Sequence, residues 1–181
     1  RNTYNVKIYM GHNESNIEPD CEALVYTAAV KQDNPELVRA RNMGIPVIER
    51  SEMLGMLTDM YENTIAVSGT HGKTTSTSMM THIALAAKLD PQVMVGANLA
   101  AIGGGLRIAD SDLFIAEACE YCDSFHHFHP TIAVILNVDE DHLDFFSGID
   151  EIIASFRKFA SLVPKDGTIV VNGDDENAMK S

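Results

Sequence analysis

Residues 64–76, TIAVSGTHGKTTS, constrain this chain more than any other stretch. An apolar, β-branched run ends in a loop with two glycines, Gly69 and Gly72, and Lys73-Thr74 opens what reads as a helix at once. A buried strand feeding a helix through such a loop is a phosphate-binding arrangement. Glycines let backbone N–H groups approach phosphate oxygens closely, and the helix N-terminus adds its partial positive charge. Lys73 would supply a point charge at the β- and γ-phosphates, and the Thr74 hydroxyl a ligand for Mg²⁺. The loop departs from G-x-x-x-x-G-K-[ST], because Val67 stands at the first glycine position and the glycine comes at Gly69. The alternative is an ordinary glycine turn opening a helix; the strand before it and Lys-Thr after it favour a nucleotide triphosphate.

Around this unit, short apolar runs alternate with helical patterns. VKIYM, EALVYT, IPVIE, TIAVS, DLFIAEA, TIAVILN and TIVVN read as strands buried on both faces, which predicts an α/β fold with mainly parallel sheets flanked by helices. Helices are expected over 35–43, capped by Asn34 with Pro35 at the first position and Gly44 ending it, then over 51–62, 74–88 and 148–163. A domain boundary is placed near Glu62, giving domains 1–62 and 63–181. With 45% hydrophobic and 22% charged residues the chain reads as globular. A net charge of −13 argues against a nucleic-acid or membrane partner bound by bulk electrostatics, and no apolar run approaches the length of a membrane span. Three cysteines are too few for a disulfide scaffold and suit a reducing cytoplasm. The abrupt ends of the sequence are read as those of a piece of a longer protein.

In open parallel sheets ligands bind beyond the carboxyl ends of the strands. DLFIAEACE delivers Glu117 there, and TIAVILNVDEDHLD delivers Asn137, Asp139, Glu140, Asp141, His142 and Asp144. A carboxylate beside a phosphate loop suits Mg²⁺, which takes oxygen ligands; the plainer reading is loop-solvating acids. His82 reads as a packing or surface residue, and His12 has no evident partner. EACEYCDSFHHFHP, residues 117–130, also holds a Cys-x-x-Cys pair, Cys119 and Cys122, with His126, His127 and His129 close by. A zinc module is one reading. The run leaves a strand beside a phosphate loop, where an oxygen-preferring metal is expected instead.

GTHGKTT, EACEYCDSF, TIAVILNVDEDHLDFF and VVNGDDE together resemble the Mur ligase family, and GHNESNI and the segment from VYTAAV to SEML extend the resemblance over nearly the whole chain. His71 in the loop resembles the branch that adds L-alanine. The resemblance implies a P-loop-type central ATP-binding domain, preceded by part of a Rossmann-like UDP-binding domain. It implies cytoplasmic, ATP- and Mg²⁺-dependent joining of L-alanine to UDP-N-acetylmuramate through an acyl phosphate. By the same resemblance the backbone of Gly69, Thr70, His71, Gly72, Lys73, Thr74 and Thr75 holds the phosphates. Thr74, Glu117 and His142 match the Mg²⁺ ligands, with Lys73, Glu117 and His142 as the catalytic set. Asn98, Ser124 and His127 fall where the muramyl substrate lies, and Glu120 is a candidate supporting acid. Cys119 and Cys122 stand where many relatives carry aspartates. Two alternatives remain at this point: the branch that recycles murein tripeptide, and a P-loop regulatory module. Against the second, the chain lacks the GTPase base-recognition pattern NKxD.

Overall fold

The computed structural model describes residues 6–181, which separate into two compact units divided between Met53 and Leu54.

In the first unit, β1 (Leu24–Tyr26) pairs in parallel with β2 (Val47–Glu49), and α1 (Pro35–Asn42) connects them. The helix starts as the sequence predicts: the Asn34 side chain accepts the Glu36 N–H at 2.9 Å and Pro35 holds the first position. Gly44, at φ 71°, closes it. Leu37 and Ala40 form its buried stripe. VKIYM is not a strand. Residues 6–10 are exposed and belong to neither sheet, and Lys7 and Tyr9 instead bond to Glu18. Their β-branched alternation is a local preference that no sheet takes up. His12 does have a partner. Its Nδ1 lies 2.9 Å from Glu36 Oε2, and Asn16 donates to the other oxygen at 2.6 Å. Burial alone would raise the Glu36 carboxyl, but these hydrogen bonds outweigh it and hold the group below its ordinary range. The helix α2 (Arg50–Thr58) follows, shorter than the expected 51–62, and the division between the units falls inside it.

The second unit is built on a six-stranded sheet. Its strands are β3 (Asn63–Ser68), β4 (Gln92–Leu99), β5 (Gly104–Arg107), β6 (Leu113–Glu117), β7 (Ile132–Ile135) and β8 (Thr168–Val171), in the order β5-β4-β6-β3-β7-β8. All pairings are parallel except β4 with β5. The helices α3 (Lys73–Ala86) and α4 (Ile149–Ala160) complete the α/β unit. The antiparallel β4–β5 edge was not expected from the sequence. β4 alternates in burial only as far as Val95, and its second half, with Gly96 and Asn98, is largely exposed.

α4 is the amphipathic element. It buries Ile152, Ile153, Phe156, Phe159 and Ala160, with acids in its first turn and Arg157 and Lys158 in its last, as the helix dipole favours. Its core face meets Phe125, whose ring stacks on Phe159 at 4.7 Å and meets Phe156 edge-on at 5.2 Å. Phe125 belongs to a 3₁₀ segment, Tyr121–His127, that follows β6. The aromatic trio therefore pins the chain leaving β6 onto the helix that follows β7. Among the described residues no helix is long and apolar enough to cross a membrane.

Candidate active site

With β3 in the middle of the sheet and β6 and β7 on either side, three carboxyl ends open at one edge. Gly69 follows β3 at φ 143°, and a Cβ there would stand 2.9 Å from that of Leu136. Gly72 caps α3 at φ 83°. Both positions require glycine, for close approach and for left-handed backbone respectively.

The loop is shaped by the residues that follow β7. Asn137 Oδ1 accepts the His71 N–H at 2.7 Å, its Nδ2 donates to the His71 carbonyl at 2.9 Å, and its own carbonyl accepts the Thr70 N–H at 3.0 Å. Thr70 Oγ1 accepts the Asp139 N–H at 2.9 Å. Two of the seven backbone N–H groups expected to cradle phosphate, those of Thr70 and His71, are therefore already committed. The first N–H groups of α3, from Lys73 to Thr75, have no intrahelical acceptor and open toward the same edge. The imidazole of His71 is exposed.

Lys73 folds back across the loop. Its ammonium donates to the Gly69 and Thr70 carbonyls at 2.7 and 3.2 Å and to both oxygens of Glu120 at 2.8 and 3.0 Å. Glu120 is only 2% exposed and Lys73 14%, so this is a buried, charge-assisted pair. The sequence marked Glu120 as an auxiliary acid; the structure makes it the main partner of Lys73.

Thr74 Oγ1 donates to Glu117 Oε1 at 2.8 Å, and Glu117 Oε2 accepts the Gly96 N–H at 2.6 Å. A Cβ at Gly96 would lie 3.0 and 3.1 Å from the two Glu117 oxygens, so glycine is what lets β4 approach this carboxylate. His142 stands apart from that pair. It begins the turn after β7 at φ 52°, and its Nε2 faces Glu120 Oε1 at 3.7 Å. The Tyr121 ring packs on its imidazole, with centroids 4.6 Å apart, while the Tyr121 hydroxyl donates to Asp144 Oδ2 at 2.9 Å. That hydrogen bond and the charge of the carboxylate push the Tyr121 phenol up to about 12.

The structure therefore joins Thr74 to Glu117 and Lys73 to Glu120, with His142 beside Glu120. Among the described residues no three His, Cys, Asp or Glu side chains gather closely enough to hold a metal by themselves. A hydroxyl with one or two protein ligands still suits Mg²⁺, which keeps several waters and takes substrate phosphates. The residues of the Cys-x-x-Cys stretch turn elsewhere. His126 Nε2 meets the Ser155 carbonyl at 2.9 Å, and His129 binds Asp59. Cys122 has left-handed backbone. Although Cys119 is exposed as a residue, desolvation raises its thiol above the ordinary range, which opposes the thiolate a zinc site needs. Asn98 and His127 are exposed, Ser124 donates to the Tyr121 carbonyl at 2.8 Å, and His82 lies on the surface of α3.

The Tyr121–Asp144 bond gives a titration that can be read directly. Asp144→Ala is expected to return Tyr121 from about 12 toward the ordinary tyrosine value of about 10, seen as earlier phenolate absorbance at 295 nm. The folded value lies above the unfolded one, so the bond stabilises fully below pH ~10 and is lost as pH rises through the folded value. An unchanged phenolate curve in the variant would contradict this coupling.

Fold and loop together define an α/β protein built around a strand–glycine loop–helix unit of the phosphate-binding kind. Residues 67–181 match the Mur ligase middle domain, and residues 3–62 match the Mur ligase family catalytic domain. The chain belongs to the Mur ligase family. It is 54% identical over 172 residues to a UDP-N-acetylmuramate–L-alanine ligase of Caldicellulosiruptor saccharolyticus, covering 95% of this chain and 38% of that protein. It is 51% identical over 171 residues to one from Clostridium botulinum, covering 94% and 37%. The chain thus spans well under half the length of these curated relatives. The solved UDP-N-acetylmuramate-alanine ligase from Thermotoga maritima superposes with a TM-score of 0.82 at 27% identity, over 94% of this chain and 40% of that one. A UDP-N-acetylmuramate:L-alanyl-gamma-D-glutamyl-meso-diaminopimelate ligase from Neisseria meningitides gives 0.85 at 27%, over 94% and 58%.

Proposed function

We propose that the protein containing this chain joins L-alanine to UDP-N-acetylmuramate in the cytoplasm at the expense of ATP, a step of peptidoglycan precursor synthesis. The observation that carries this reading is the junction of β3, β6 and β7, where Lys73, Thr74 and Glu117 converge on one loop. Residues 1–62 would be the later part of a UDP-substrate-binding domain and 63–181 the earlier part of the ATP-binding domain. The two family matches, which meet between residues 62 and 67, support that division.

In the proposed reaction the lactyl carboxylate attacks the γ-phosphorus of ATP and ADP leaves, giving an acyl phosphate. The alanine amine then adds to the acyl carbon, loses a proton, and the tetrahedral intermediate expels inorganic phosphate. Little covalent chemistry is left for side chains, so positioning and charge compensation do most of the work. Lys73 would exchange part of its Glu120 contact for phosphate oxygens. The amides of Gly72 to Thr75 would hold the same group at the start of α3. Thr74, Glu117 and His142 would hold Mg²⁺, which when bound neutralises charge on the phosphates. Asn98, Ser124 and His127 would flank the muramyl substrate.

The full-length protein, given ATP and Mg²⁺, should release ADP only when UDP-N-acetylmuramate and L-alanine are both present. Release with tripeptide in preference to L-alanine would move the reading to the recycling branch, which the Neisseria structure's likeness keeps as the second reading. Release without either acceptor would favour a nucleotide-hydrolysing switch. The isolated 181 residues are expected not to turn over.

A further inference from the structure

His142 is weakly held for a residue with a proposed role at the site. Its side chain is partly exposed, and its backbone is left-handed. Its ring nitrogens come no closer than 3.7 Å to Glu120 and 4.0 Å to Asp141, beyond hydrogen-bonding distance. What fixes the imidazole is Tyr121. That residue opens the 3₁₀ segment after Glu120, and its ring and hydroxyl reach three residues of one turn. Its ring lies on His142 at 4.6 Å and 40°. Its hydroxyl donates to Asp144 at 2.9 Å, and its edge meets Phe145 at 6.2 Å and 71°. The turn is closed by the Phe145 and Phe146 N–H groups on the His142 carbonyl, at 2.9 and 3.0 Å, so holding Asp144 and Phe145 also holds the His142 backbone. The far end of Tyr121 is anchored in turn, because Phe125, four residues on, is packed between Phe156 and Phe159. Glu120, on its other side, is tied to Lys73.

We propose that Tyr121 is a positioning residue, whose ring and anchored hydroxyl fix the His142 imidazole toward the phosphate loop and register the His142 turn against the segment that carries Glu120. This rests on the proposed role of His142, and it adds a requirement that role alone does not contain: an aromatic ring at position 121.

The test uses the full-length protein with Tyr121→Phe, Tyr121→Leu and Tyr121→Gln. The first readout needs neither metal nor turnover. In ¹³C-histidine-labelled protein, with His142→Gln to assign the signal, the His142 ring proton should show an aromatic ring-current shift. Tyr121→Phe should keep it, and Tyr121→Leu and Tyr121→Gln should abolish it. The second is Mn²⁺ affinity by electron paramagnetic resonance with a non-hydrolysable ATP analogue. Loss of a residue that orients a ligand typically costs 10–100-fold, so both non-aromatic variants should weaken Mn²⁺ about tenfold or more, and Tyr121→Phe should recover most of it. kcat should fall with Mn²⁺ affinity while KM for L-alanine stays within about threefold. Position 121 is 37% exposed, so the substitutions should not unfold the protein, and thermal melting checks this. Unchanged Mn²⁺ affinity and a His142 signal that keeps its wild-type ring-current shift in folded Tyr121→Leu and Tyr121→Gln overturn the proposal, even if the wild type is an active ligase. An inactive wild type that still shows both effects overturns the ligase reading and leaves the positioning role standing.

Discussion

Lys73→Met in the full-length protein is expected to lower kcat/KM for ATP by about 10²–10³, the usual loss when one preorganised group facing transition-state charge is removed. It should also destabilise the fold, and the two effects can be separated. Lys73 covers both oxygens of a carboxylate that is 2% exposed, so removing the ammonium strands a buried charge. Breaking such a pair from one side costs about 3–5 kcal/mol, whereas replacing both partners by neutral groups is often harmless. Lys73→Met/Glu120→Gln should therefore regain most of the lost stability in chemical denaturation while activity stays low. Recovery of activity in the double variant would mean that Lys73 serves the fold and not the phosphate.

Gly55→Ala should lower stability although it adds only one methyl group. In an ordinary helix interior this substitution helps by up to about 1 kcal/mol. Here the added Cβ would fall against the main-chain carbonyl of His127, which cannot swing aside as a side chain can. That carbonyl belongs to the segment that seats Phe125 and Phe128 in the core. The same junction is stitched by Thr58, which donates to the Gly55 carbonyl at 2.6 Å and accepts the His129 N–H at 3.1 Å. Overpacking against backbone costs about 1–3 kcal/mol or more, which for a chain of this size lowers Tm by roughly 2–4 °C per kcal/mol. A variant that melts at or above the wild-type temperature would show that the segment yields.

The central motif and the strands beside it were legible in the sequence because their signals are local. A buried run, two glycines and Lys-Thr specify a loop, and Asn34-Pro35 specifies a helix start, whatever the rest of the chain does. The contacts that organise the site were not legible, because they join residues far apart in sequence. Asn137 reads as a polar residue at a strand end, yet its role is to grip the main chain of His71, sixty-six positions earlier. Nothing local in the sequence marks Gly96 as the gap through which Glu117 meets β4. The β4–β5 edge was hidden for another reason. Gly104 and Gly105 carry no side chain to set an alternation, and the second half of β4 faces outward. VKIYM failed in the opposite sense, showing the pattern of a strand with no sheet to join. The crowded EACEYCDSFHHFHP run separates only in three dimensions. Glu117 and Glu120 turn toward Thr74 and Lys73, while His126 and His129 bond to Ser155 and Asp59.

The grip of Asn137 on the loop bears on how tightly a nucleotide can bind. Confining a flexible backbone residue to one conformation costs on the order of 1–2 kcal/mol, and a loop that settles only around its ligand subtracts that from affinity for every residue it orders. Here Thr70 and His71 are held by side-chain and main-chain bonds within the protein itself. The entropy is lost once, during folding, and a phosphate bound as proposed would meet a receptor whose curvature is already set.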